Sequence, residues 1–108
     1  MNTYAKRQRD FAYLAWVTAQ QCIVCEKAHA PQLTRTYAHH AGARGLSQRA
    51  SDHTAIPLCW RHHDRGSSLS IHALGKKFWV VYALDRGVVI AELRERYLLE
   101  TEGWRMAA

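Results

Sequence analysis

No run of apolar residues in the sequence approaches the roughly 18 needed to cross a membrane as a helix, which excludes that class of membrane protein. The opening residues, Met1-Asn2-Thr3-Tyr4, lack the charged-then-apolar order of a secretory signal, so the expectation is an intracellular, cytoplasmic protein. Cysteine is sparse and odd in number: three in 108 residues. Three thiols cannot all pair, and in a reducing compartment they point to thiolates that bind metal rather than to disulfides. Acidic side chains are also few, nine against fifteen Lys and Arg, which leaves a net charge of +6 before any of the seven His titrates. A polyanion is the partner that this balance favours. Internal repeats, low-complexity tracts and linkers are absent, so residues 1–108 read as a single domain. At this length a chain buries only about 60–70% of its unfolded surface, and a metal often supplements the apolar core.

Residues 4–21 contain Phe11, Leu14, Ala15 and Thr18 at spacings of three and four behind the basic turn Lys6-Arg7-Gln8-Arg9, and predict an amphipathic helix. Cys22-Ile23-Val24-Cys25 then forms a tight knuckle, and Pro31 argues against helix beyond it. Thr34-Arg35-Thr36-Tyr37-Ala38 has the β-branched and aromatic character of a short strand running into His39-His40. Ala41 to Ser51 holds two Gly and two Arg with no apolar period and reads as a mobile, basic surface loop. A second strand, Ala55-Ile56-Pro57-Leu58, leads into Cys59-Trp60-Arg61-His62-His63, where a helix begins. Helical patterns follow over 71–82 and 88–100, with Gly103 as the expected stop.

The strongest signal is Cys22-x2-Cys25 joined across 33 intervening residues to Cys59-x2-His62. Three thiolates and one imidazole in two chelating pairs are the tetrahedral ligand set of a closed structural zinc site. The gap exceeds that of compact fingers, so something is inserted between the halves. The insert carries His39-His40, and the second knuckle is extended by His63, so three further imidazoles sit beside the zinc framework without being needed by it. On a helix, neighbouring residues point about 100° apart, so His62 can face zinc while His63 faces another centre.

This arrangement resembles the HNH endonucleases, whose ββα-metal core places one His at a strand end and a metal-binding His at the start of a helix. Tyr13-Leu14-Ala15-Trp16-Val17, the two knuckles, Ala38-His39-His40, Ile56-Pro57-Leu58, His62-His63-Asp64, His72-Ala73-Leu74-Gly75 and Phe78-Trp79 are most similar to the phage recombination-enhancement (Ref-like) branch. The resemblance implies a small α+β domain with a treble-clef-like ββα-metal core, flanked by an N-terminal helix and C-terminal helices. It implies that His40 is the general base and that His39 and His63 hold a catalytic divalent cation, Mg²⁺ or another. It further implies DNA, double- or single-stranded, as substrate, a phage or prophage origin, and a RecA-type recombinase filament as a partner. One tension lies in the backbone: consecutive strand residues face opposite ways, so His39 and His40 share a site only where the strand ends or bulges.

The sequence departs from the HNH pattern in the middle position. No Asn follows Asn2, and Asp52, His53 and Thr54 stand where many of these enzymes carry one. His53 is the preferred substitute, holding the loop or orienting the base through a hydrogen bond, with Asp52 next. His72 reads equally as a helix-packing residue or as a neighbour of the metal. Arg35, Arg44, Arg49, Arg61 and Arg65 flank the site and are the candidates for phosphate contacts. Two rival classes stand beside the nuclease: a zinc-stabilised nucleic-acid-binding module without catalysis, and a zinc-braced scaffold for a protein partner.

Overall fold

The computed structural model of the chain describes residues 9–42 and 50–107, the side chains of 103–107 excepted. The elements run α1 (Phe11–Thr18), α2 (Ile23–Lys27), β1 (Thr36–His40), a 3₁₀ turn (Asp52–Thr54), β2 (Ala55–Cys59), α3 (Trp60–His63), α4 (Ile71–Leu74), α5 (Lys77–Val81) and α6 (Arg86–Ala107). This is a small α+β architecture in which a two-stranded antiparallel sheet is packed among helices. The register pairs Thr36 with Cys59 and His40 with Ala55 without a bulge.

Burial follows from local chemistry. Ala55-Ile56-Pro57-Leu58-Cys59 is a continuous apolar run, and β2 is buried at all five positions. Pro57 is tolerated because in a two-stranded sheet each strand is an edge. Around β2 lies a core of Ile23, Val24, Ile56, Leu58, Ile71 and Phe78, closed by Val89 and Leu93 at i and i+4 on α6. A second cluster joins Tyr13 and Val17, again one turn apart on α1, to Ala55.

The two knuckles are built alike. Cys22 and Cys59 are the N-caps of α2 and α3, and Cys25 and His62 are the third helical residues, so each pair meets across the first turn. That is the physical content of the x2 spacing.

Several helix boundaries differ from the sequence reading. The described part of the first helix begins at Phe11, where the Asp10 side chain accepts the Tyr13 N–H as an N-cap. The single helix expected over 71–82 is two, because Gly75 adopts φ +58 and closes α4 by donating its N–H to the Ile71 carbonyl. Gly103 does not stop the last helix, which continues to Ala107; glycine in a helix interior costs about 1 kcal/mol but does not by itself end it.

One turn decides how β1 ends. A Cβ on Gly42 would lie 2.7 Å from the Cβ of Thr54 and closer still to its methyl group. Thr54 cannot retreat, since its hydroxyl donates to the Ser51 carbonyl at 2.7 Å and its own carbonyl accepts from the Ala41 N–H at 3.1 Å. We expect Gly42→Ala to destabilise the fold by about 1–3 kcal/mol, as overpacking does. At this size that is a fall in Tm of roughly 5–20 °C by thermal denaturation.

Candidate functional site

Cys22, Cys25, Cys59 and His62 converge in one buried cluster, all four ligand atoms within 4.8 Å of one another. Three sulfurs surround His62 Nδ1, at 3.4 Å (Cys22), 3.8 Å (Cys25) and 3.3 Å (Cys59), and the Cys25 and Cys59 sulfurs are 3.9 Å apart. Tetrahedral zinc with ordinary Zn–S and Zn–N bond lengths separates two sulfurs by about 3.8 Å and sulfur from nitrogen by about 3.6 Å. The donor set therefore fits a structural zinc ion. All three thiols are free of disulfides. Burial pushes the Cys22 thiol up, and burial together with the neighbouring sulfurs pushes Cys25 up to about 12. Burial, aided by Arg61, lowers His62 and keeps its imidazole neutral, the form that binds metal.

His39, His63 and His72 form a second cluster, also within 4.8 Å, but this one is only half-buried. Nε2 of His63 and Nε2 of His72 are 3.3 Å apart, close to the about 3.3 Å expected of two imidazoles on one tetrahedral ion. Their rings meet edge-on with centroids 4.8 Å apart, and the His39 ring stands 5.3 Å from His63 and 5.0 Å from His72. Burial, and then the adjacent His72, hold the His63 pKa down, again favouring the neutral ligand. The fork expected at the second knuckle is present: His62 enters the closed cluster and His63 the open one.

Tyr37 stacks on His63, ring centroids 5.5 Å apart and 17° from parallel, and the Arg35 guanidinium lies over the Tyr37 ring at 4.6 Å. Arg35, Tyr37 and His39 thus share one side of the chain at the two-residue period of a strand.

His40 faces the opposite way. The unbulged register puts it on the Ala38 side of β1, towards α1, and it is not part of the His39 cluster. Its Nε2 lies 2.8 Å from Oδ1 of Asp52, a carboxylate only 1% exposed. Of the two candidates for the middle position, Asp52 meets His40. His53 turns away, its Nε2 3.0 Å from Oδ2 of Asp10. The reason is the 3₁₀ turn that carries them, in which consecutive side chains diverge. Asp10, which the sequence reading did not single out, also donates its backbone N–H to Oδ2 of Asp52 at 2.8 Å. The Tyr13 N–H is the main cause of a lowered Asp10 pKa, with His53 adding to it, so this carboxylate is ionised at neutral pH.

Arg35, Arg61 and Arg65 are exposed, whereas Arg44 and Arg49 lie outside the described residues. A cavity of about 810 Å³ lies over the zinc cluster, between Leu33, Trp60, Leu69 and Val81. Its apolar walls suit neither a cation nor a phosphate, and the open histidine cluster is the better chemical site. Residues 4–78 match the model of a family described as "Protein of unknown function (DUF968)". The matched segment contains both clusters, Asp10, Asp52 and His53; α6 lies beyond it. No curated protein and no solved structure matches the chain.

Proposed function

We propose that this chain, which belongs to the family of proteins of unknown function DUF968, is a metal-dependent endonuclease of the ββα-metal (HNH) type that hydrolyses DNA phosphodiester bonds. One observation carries the reading: an open three-imidazole cluster and a His–Asp pair occupy the two sides of a single strand end, at His39 and His40. In-line displacement at phosphorus needs the attacking water and the departing oxygen on opposite sides. Adjacent residues of a strand that point opposite ways supply that separation. A phosphate seated off the end of β1 would have the His39 cluster on its leaving-group side and His40 on the side of attack.

Neutral His40 would take a proton from water, whose oxygen bonds to phosphorus as the bond to the departing deoxyribose oxygen breaks. Asp52, hydrogen-bonded to Nε2, would stabilise the imidazolium so formed. His39, His63 and His72 would hold a cation. When bound, that ion supplies Lewis-acid stabilisation of charge on the phosphoryl and departing oxygens. Three imidazoles favour Zn²⁺ or Ni²⁺ over Mg²⁺ and Mn²⁺, which prefer oxygen ligands. His72, as the third imidazole, adds to that preference. Arg35, beside the open cluster, is the first candidate for phosphate contact, followed by Arg61 and Arg65, in keeping with the chain's net charge of +6. A phage or prophage origin, action in the host cytoplasm and partnership with a RecA-type filament belong to the same reading and rest on the Ref-like resemblance. No helix among the described residues is long and apolar enough to cross a membrane.

The test is cleavage of supercoiled plasmid and of single-stranded DNA by zinc-loaded protein with Mg²⁺, Mn²⁺ or Ni²⁺, comparing wild type with His63→Ala and His72→Ala. We expect cutting with the transition cations, at least a hundredfold weaker in both variants, while zinc content and fold are unchanged. Salt-sensitive binding without cleavage under every cation would reject the enzyme in favour of a non-catalytic zinc-stabilised binding module.

A further inference from the structure

We infer that Asp10 is a positioning residue for His40, acting through Asp52, and that His53 holds Asp10 in place. This inference rests on the reading of His40 as the base.

Asp52 links Asp10 to His40 through its carboxylate. It is buried, and both oxygens are engaged: Oδ1 by His40 Nε2 and Oδ2 by the backbone N–H of Asp10, each at 2.8 Å. Oδ2 already accepts an N–H; with Oδ1 likewise the acceptor, the proton between Asp52 and His40 sits on Nε2, and Nδ1 carries the ring's lone pair. A carboxylate held at one oxygen can turn about its Cβ–Cγ axis, and a bond at the other oxygen opposes that turn. The second bond fixes its plane, and it comes from a residue 42 positions earlier in the chain.

Asp10 is gripped from several sides. Its Oδ1 accepts the Tyr13 N–H at 3.0 Å, and its Oδ2 accepts from His53 Nε2 at 3.0 Å. Asp52 and His53 are neighbours on one 3₁₀ turn, itself capped by Ser51 Oγ on the His53 N–H. One rigid turn therefore holds Asp10 twice, by its backbone N–H through Asp52 and by its carboxylate through His53. Capping α1 requires only Oδ1. The other two contacts have no use in the cap, but they complete an ordered series, His53 to Asp10 to Asp52 to His40. The edge of the Tyr13–His53 ring pair, centroids 6.1 Å apart, supports the outer end. His53 thus orients the base at three removes rather than by direct contact.

The experiment uses the zinc-loaded 108-residue chain labelled with ¹⁵N at histidine. Long-range ¹H–¹⁵N spectra report the tautomer of each ring, and plasmid cleavage is measured in parallel. In the wild type His40 should be the Nε2–H tautomer. Asp10→Ala and His53→Ala keep the residue-10 backbone N–H but release it from the side-chain contacts that fix its position, and so should turn His40 into a mixture of tautomers and lower kcat about tenfold with KM and zinc content unchanged. His53→Gln, which keeps a donor for Asp10, should restore both readouts. If Asp10→Ala lowers the melting temperature but leaves the His40 tautomer and kcat as they were, Asp10 is a helix cap only and the inference is overturned. A wild-type His40 that is not the Nε2–H tautomer overturns it equally. Failure of the wild type to cut DNA rejects the base reading instead, and the tautomer comparison still decides whether Asp10 positions the ring.

Discussion

Removing zinc should unfold this protein. The four ligands tie the first turn of α2 to the junction of β2 and α3, and Cys22, Cys25 and Cys59 are themselves part of the main core cluster. The rest of the core is small, and zinc binding in sites of this kind contributes on the order of 10–16 kcal/mol of apparent free energy at neutral pH. That is as large as the roughly 5–15 kcal/mol by which most domains are stable. A strong chelator at pH 7 should abolish the cooperative melting transition and most far-ultraviolet helical signal, and Cys25→Ser or Cys59→Ser should behave alike. The sign of the pH dependence follows from the thiols. In the unfolded, metal-free chain a thiol with its ordinary pKa of about 8.5 is protonated at pH 7, and burial in the fold pushes Cys22 and Cys25 further up, so these thiols must release protons to bind. Zinc affinity should therefore climb as the pH rises, up to tenfold per thiol per pH unit below its pKa, and zinc should be lost on acidification. A chelated protein that melts at the same temperature would show that the apolar core suffices.

His40→Ala should reduce DNA cleavage by about 10²–10⁴-fold, the contribution usual for a positioned general base. The loss should fall on kcat, because His40 belongs to neither metal cluster and lies on the other side of β1 from His39. Zinc content, occupancy of the open cluster and DNA affinity should be retained. Asp52→Asn should cost less than His40→Ala, since the imidazole remains while losing its fixed tautomer. Undiminished cleavage by His40→Ala would assign the proton transfer to another group.

What could be read from the sequence, and what could not, follows from how far each feature is encoded locally. Cys-x2-Cys and Cys-x2-His specify their own geometry, since an N-cap and the third helical residue always meet across the first turn. The divergence of His62 and His63 is equally local, set by the 100° step of a helix. Both strands are marked by β-branched or continuous apolar runs. His72 is different: eight residues, mostly turn and loop, lie between it and His63, and no spacing rule links the two. The choice between Asp52 and His53 depended on a one-residue register in a 3₁₀ turn, where each step reverses what a side chain faces. Asp10 looks in sequence like an ordinary helix cap, and its contacts to Asp52 and His53 arise only from tertiary packing of α1 on that turn. Gly75 and Gly103 are the same residue type with opposite outcomes. The first takes up positive φ and breaks a helix, while the second lies within one that continues.

The proposed chemistry requires a second metal centre beside the first, one closed by sulfur and the other open and built of imidazole alone. It is tested most directly by titrating protein already loaded with one zinc per chain with Co²⁺ or Ni²⁺, following metal stoichiometry and the visible absorption spectrum. We expect one further ion per chain, with no sulfur-to-metal charge-transfer band, and its loss in His39→Ala and His72→Ala while the zinc stays. No further binding, or uptake only by displacing zinc from the cysteines, would contradict it.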